Sequence, residues 1–156
     1  MRNVGPHSIK ISDGLKHDIR DLCRQLETTL EFYVADIEST GLDDHEHDVI
    51  EVSLLRLSTD EQKTWSIKPL TPETASPDAL RINGHKLEDL LHQTKAGKDR
   101  YLMPHDVIVD IENWVLDDGV PAANRFLVGQ NIGFDIGFLK QLWKKPAQVK
   151  KKRVKL

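Results

Sequence analysis

A short apolar run, Phe32-Tyr33-Val34-Ala35, passes directly into Asp36-Ile37-Glu38-Ser39-Thr40-Gly41. In an extended strand, residues two apart project to the same side, so Asp36 and Glu38 share one face while Ala35 and Ile37 share the other. Two neighbouring carboxylates repel each other unless a cation lies between them. Hard divalent ions such as Mg²⁺ take oxygen ligands and keep positions open for water or phosphate. Near the other end of the chain, Asn131-Ile132-Gly133-Phe134-Asp135 opens an amphipathic stretch with Phe134, Phe138, Leu139 and Leu142 on one face. Asp135 there reads either as an acid favoured by the helix macrodipole or as a third carboxylate for the same cation.

The segments between these two fix the order of elements. Asp48 to Leu57 reads as a buried strand and Gln62 to Lys68 as its hairpin partner across Ser58-Thr59-Asp60-Glu61. Pro69, Pro72 and Pro77 break regular structure. Helices are expected over Lys86 to Gln93 and Pro104 to Asp118, the second closed by Gly119, with a basic loop Thr94 to Arg100 between them. Arg125 to Gly129 reads as a short strand and Ile132 to Trp143 as a helix. Ahead of the first strand, Leu15, Ile19, Leu22, Leu26 and Leu30 form one face of a helix with Ser12 or Asp13 as its cap, read as an accessory helix packed on the domain.

Asp36-x-Glu38-x-Thr40-Gly41 resembles the first motif of the DEDD superfamily of 3′–5′ exonucleases, the DnaQ-like proofreading type. Asn131-x-x-Phe134-Asp135 resembles its second. D-x-E alone is common by chance; both motifs in order, each in its expected local structure, are specific. The resemblance covers residues 31–143 and implies an α/β, ribonuclease H-like mixed sheet flanked by helices. It implies metal-dependent phosphodiester hydrolysis with two Mg²⁺ or Mn²⁺ ions per site, Asp36 bridging both, Glu38 on the nucleophile side and Asp135 ligating the other. By the same resemblance Thr40, Gly41, Leu42, Ile82, His85, Asn131 and Phe134 are the substrate-facing positions, although His85 and Ile82 read equally well as helix-cap or turn residues, and Asn131 as a turn former. The substrates implied are single-stranded 3′ ends of DNA or RNA, and a polymerase or other protein partner is left open.

The family's third motif, which supplies a histidine base and a last aspartate, or a tyrosine in another branch, has no counterpart. No His, Asp, Glu or Tyr follows Asp135, and the last thirteen residues, from Lys144, hold seven basic side chains and no acidic one. The expected organisation is therefore an accessory helix in residues 1–30, a C-terminally incomplete exonuclease-like domain over 31–143, and a disordered basic tail over 144–156. The tail has the charge density of a nucleic-acid arm or nuclear-import signal. Activity of this chain is expected to be impaired, and a non-catalytic nucleic-acid or protein-binding module on the same fold is the alternative.

Charge and composition narrow the classes further. Net charge is −3, of which the last thirteen residues contribute +7, leaving −10 on residues 1–143. An acidic body has no basic stripe for non-specific phosphate binding, so metal ions and a few shaped contacts would carry the attraction to nucleic acid. His45 and His47, in the polar stretch Leu42 to Asp48, read as solvated rather than as ligands of a hard ion. The single cysteine, Cys23, excludes an internal disulfide. No apolar run approaches the roughly 18 residues of a membrane span, and no secretory h-region is present, so a cytoplasmic location is expected, or a nuclear one if the tail is an import signal.

Overall fold

The computed structural model describes residues 9–26 and 29–153, with the backbone alone from residue 146 onward. Its centre is a four-stranded mixed sheet of order β3-β2-β1-β4. β1 (Glu31–Ser39) pairs antiparallel with β2 (Val49–Arg56), which pairs antiparallel with β3 (Glu61–Ser66). β4 (Arg125–Val128) lies parallel to β1 on the other side. The hairpin turn needs one left-handed residue, supplied by Asp60 at φ 58°.

Strand parity divides the sheet into two unlike faces. Tyr33, Ala35 and Ile37 of β1, Val52 and Leu54 of β2 and Trp65 of β3 pack on one face against Val107, Ile108 and Ile111 of α5 (Pro104–Leu116) and Phe138 and Leu142 of α6 (Ile132–Arg153). The other face carries Asp36, Glu38, Glu51 and Ser53. It is capped by three short helices, α2 (Pro77–Asn83), α3 (Leu87–Leu90) and α4 (Lys95–Arg100), around a small second core of Ile50, Leu80, Leu90 and Tyr101. Alternation along β1 thus turns apolar residues to one helical layer and leaves Asp36 exposed on the acidic side, where Glu51 and Ser53 are buried.

Ion pairs pin the layers together. Asp118, just past α5, accepts from the Arg125 guanidinium at 2.6 Å and from the Tyr33 hydroxyl at 2.6 Å, tying α5, β4 and β1 into one corner. Arg56 lies inside the sheet–α5 interface, its guanidinium 4.5 Å from the Trp114 ring and bonded to the Trp114 carbonyl.

Four sequence expectations change here. The predicted loop Thr94–Arg100 is helical from Lys95: the Thr94 hydroxyl caps Gly97 N–H at 2.9 Å, and Gly97 is small enough to sit on the Asp89 backbone. Pro77, read as a breaker, starts α2 at its first turn, where its missing N–H costs nothing. α6 runs past the expected end at Trp143 through Arg153, with Pro146 in its interior, where the missing N–H gives up one intrahelical hydrogen bond. α1 (Asp13–Gln25) forms with the expected Ser12 cap, but none of its residues is buried, and Leu15, Leu22 and Leu26 remain exposed. It is held instead by Lys16 to Asp60 and by Arg20 to the Leu57 carbonyl at 3.3 Å. Among the described residues no helix is long and apolar enough to cross a membrane.

Candidate active site

Asp36 and Glu38 stand where strand parity puts them, on the open face, Asp36 exposed and Glu38 half-buried. The opposite parity residues are locked into the core, so the register cannot slip by one without burying both carboxylates. The parallel β1–β4 pairing then sets the third position: β4 ends at Val128, the chain turns through Gly129 to Asn131, and α6 begins beside the middle of β1. Gly129 is confined there, since an added Cβ would meet the Ala35 carbonyl oxygen at 3.0 Å.

Asp135, in the first turn of α6, is 7% exposed. Burial pushes its carboxyl above the ordinary range, the negative charge of Asp36 pushes further in the same direction, and the backbone amides of Asp135 itself and of Ile37 pull the other way. Asp135 thus sits at the β1–α6 junction, hydrogen-bonded by the Ile37 backbone and within electrostatic reach of Asp36. The expected triad is not assembled: among the described residues, no three His, Cys, Asp or Glu side chains come close enough together to hold an ion. The donor chemistry, carboxylate oxygens only, fits a hard divalent cation rather than zinc.

The remaining predicted residues fall into three groups. Leu42, 84% exposed, and Phe134 line an open cleft of about 440 Å³ with Asp43, Asp44, Gly133, Gly137 and Phe138. Phe134 packs on Phe138 with ring centroids 4.8 Å apart, and an added Cβ at Gly133 would meet nothing. Asn131 is exposed and opens α6 by accepting Phe134 N–H at 2.9 Å.

Thr40 and Gly41 are buried and serve the architecture. Thr40 N–H donates to the Asp48 carbonyl at 2.8 Å, its hydroxyl accepts Asp48 N–H at 2.9 Å, and its carbonyl accepts Ser76 N–H at 2.7 Å. Gly41 lies under the His47 ring, where an added Cβ would fall 2.1 Å from Cδ2.

Ile82 and His85 flank the site differently. Ile82 is 73% exposed on α2, whose Asn83 side chain donates to the Ser39 carbonyl at 3.1 Å and so fixes α2 at the end of β1. His85 is turned inward, with Nδ1 2.6 Å from the Tyr101 hydroxyl. His45 is exposed, as expected. His47 is half-buried, and its Nδ1 lies 3.1 Å from the Asp43 carbonyl oxygen.

Sequence reasoning passed over two buried acids near the site. Glu51 is a buried acid in the otherwise apolar strand β2 and is bonded to Arg100 at 3.2 Å. Asp48 joins Thr71 (2.7 Å to the hydroxyl) to Lys145 of α6 (2.9 Å), closing the base of the 41–48 loop. A charged residue inside an apolar strand was the available signal for Glu51.

This arrangement of sheet and helices is similar to that in solved structures of exonuclease I. The apo enzyme matches with a TM-score of 0.59 at 15% identity, over 75% of this chain and 25% of that one. Escherichia coli exonuclease I in complex with a dT13 oligonucleotide matches at 0.58 and 16%, over 74% and 24%. The moderately thermophilic enzyme from Methylocaldum szegediense matches at 0.52 and 21%, over 73% and 22%. The fold is that of exonuclease I, a ribonuclease H-like domain. The chain spans about a quarter of the length of those exonuclease I chains. No protein-family model matches it, and no curated protein matches its sequence.

Proposed function

We propose that the chain carries the metal-binding core of a DEDD-type, DnaQ-like 3′–5′ exonuclease acting on single strands. What supports this reading is a fold similar to that of exonuclease I in which Asp36 of β1 and Asp135 of α6 flank one junction, the Ile37 backbone bonded to Asp135. Asp36 and Asp135 would hold the divalent ion or ion pair, with Glu38 reaching it from the same strand face. When bound, Mg²⁺ or Mn²⁺ supplies Lewis-acid activation of water and neutralises phosphate charge.

The chain's own residues account for the rest. Asp135, buried at the head of α6, keeps a fixed position, while exposed Asp36 meets solvent and substrate. The Leu42–Phe134 cleft, apolar on one side and acidic at Asp43 and Asp44, accepts a terminal base by stacking, which tolerates any base. Gly133 leaves room for the sugar to approach the α6 backbone. The dT13 complex of exonuclease I favours single-stranded DNA over RNA.

The direct test is a labelled single strand with a free 3′ end, incubated with Mg²⁺ or Mn²⁺. Metal-dependent binding lost in Asp36→Asn, with slow release of nucleotides from the 3′ end, supports the reading. A version extended by the family's third motif, a histidine and an aspartate after α6, should be faster by about 10²–10⁴, the usual worth of general-base assistance. Binding without metal dependence, and no release from either version, favours the non-catalytic module instead.

A further inference from the structure

One polar row crosses the acidic face of the sheet beside Asp36. Ser66 on β3 is paired with Glu51 on β2, and Glu51 with Glu38 on β1. Directly opposed residues on neighbouring strands project to the same side, and strands lie about 4.8 Å apart. Glu38 is thus one strand spacing from Glu51 and about 10 Å from Ser66.

Arg100, the last residue of α4, reaches onto this row from the β3 edge. Its Nε donates to Ser66 Oγ at 3.3 Å, and a terminal nitrogen donates to Glu51 Oε2 at 3.2 Å. The guanidinium carbon lies 5.0 Å from the Tyr101 ring centroid. The backbone fixes this position, because Leu102 N–H donates to the Ser66 carbonyl at 3.0 Å and Lys68 N–H to the Leu102 carbonyl at 2.8 Å. The two partners differ in exposure: the Glu51 side chain is 6% exposed and that of Arg100 is 44% exposed.

A buried carboxylate in an apolar strand is costly unless a cation and hydrogen bonds offset it. Arg100 does so with part of a five-donor fork and turns the remainder to solvent, on the face that holds Asp36 and Glu38. Other arginines differ in kind. Arg81 and Arg24 pair with exposed aspartates on their own helices, Asp78 and Asp21.

We propose that Arg100 is a phosphate-contacting residue of this site, with buried Glu51 as the residue that positions it. This rests on the exonuclease reading above. Arg100 receives a backbone phosphate upstream of the one at Asp36 and Asp135, two strand spacings across the sheet from Glu38. On a body of net charge −10, an anchored guanidinium gives a polyanion a fixed point of attraction beside the carboxylates. Its planar fork suits phosphate oxygens better than an ammonium does.

The test is fluorescence anisotropy of a labelled oligothymidylate with a free 3′ end, in Mg²⁺, across a range of KCl concentrations. Arg100→Ala should weaken binding about tenfold, as loss of a charge-assisted contact does. It should also lower the slope of log affinity against log salt by about 0.7, one phosphate contact on a single strand. Arg100→Lys should keep the slope and lose part of the affinity. The double variant Glu51→Gln/Arg100→Gln leaves no stranded carboxylate and does not change net charge, and it should behave like Arg100→Ala. Arg24→Ala, on α1, should bind as wild type.

Wild-type affinity and slope in the double variant overturn the proposal, even if Arg100→Ala alone binds weakly with a lowered melting temperature. If Asp36→Asn still abolishes metal-dependent binding in that case, the exonuclease reading stands without it. No binding by the wild type overturns both.

Discussion

The Asp135 carboxyl, at the head of α6, lies within electrostatic reach of Asp36 on β1, and the two differ in their access to water. Asp135 is buried at the head of a helix and held above the ordinary carboxylate range, with Asp36 adding to the shift, while Asp36 itself is exposed. Two carboxylates within electrostatic reach disfavour each other when both are charged, a cost that protonation of the buried one or a cation beside them would relieve.

That arrangement sets a pH dependence. A carboxyl raised in the folded state binds its proton more tightly there than in the unfolded chain. Its favourable contribution is complete below the ordinary value of 3.8 and is lost as pH rises through the raised folded value. In metal-free protein, Asp135→Asn should therefore become more stable relative to wild type as pH rises across that interval. Urea denaturation of both proteins at a series of pH values measures it. A stability difference that is flat, or that grows in the opposite direction, would show that Asp135 is not strained in this way.

The Gly41–His47 contact makes a coupling prediction. Gly41→Ala places a methyl group 2.1 Å from the His47 ring and should cost about 1–3 kcal/mol by overpacking. In a His47→Ala background the same change should cost much less. Additive losses in the double-mutant cycle would mean that the ring is not what confines Gly41.

The corner that attaches β4 depends on Asp118, held well below the ordinary carboxylate range by the Arg125 guanidinium and then by the Tyr33 hydroxyl. Removing one partner of a buried pair strands the other. Asp118→Ala should lose about 3 kcal/mol of stability in denaturant unfolding. A change within 0.5 kcal/mol, roughly that of an ordinary surface substitution, would contradict the assignment.

The parts of the site that depend on strand parity and local order were legible in the chain. Asp36 and Glu38 share a face because Tyr33, Ala35 and Ile37 occupy the other, and the hairpin of β2 and β3 follows from one apolar run, a short turn and the strand-like stretch after it. Asp135 was expected from motif order at the start of the last helix, and it sits in the first turn of α6. What was not legible depends on tertiary contacts. α4 has no apolar period of its own and exists through the Thr94 cap and the fit of Gly97 onto α3. The stripe on α1 promised burial, but its tethers are Lys16 and Arg20, and its leucines stay exposed. Glu51 and Arg100 are 49 residues apart, and nothing local in either segment announces their bond.

Metal binding tests the central claim most directly. Titration of the wild type with Mg²⁺ or Mn²⁺, followed by thermal unfolding, should raise stability by mass action, about 2.7 kcal/mol at a concentration 100 times Kd. EDTA should reverse the gain, and Asp36→Asn and Asp135→Asn should each abolish it while remaining folded. An equal response of all three proteins to added metal would mean that Asp36 and Asp135 do not form the site.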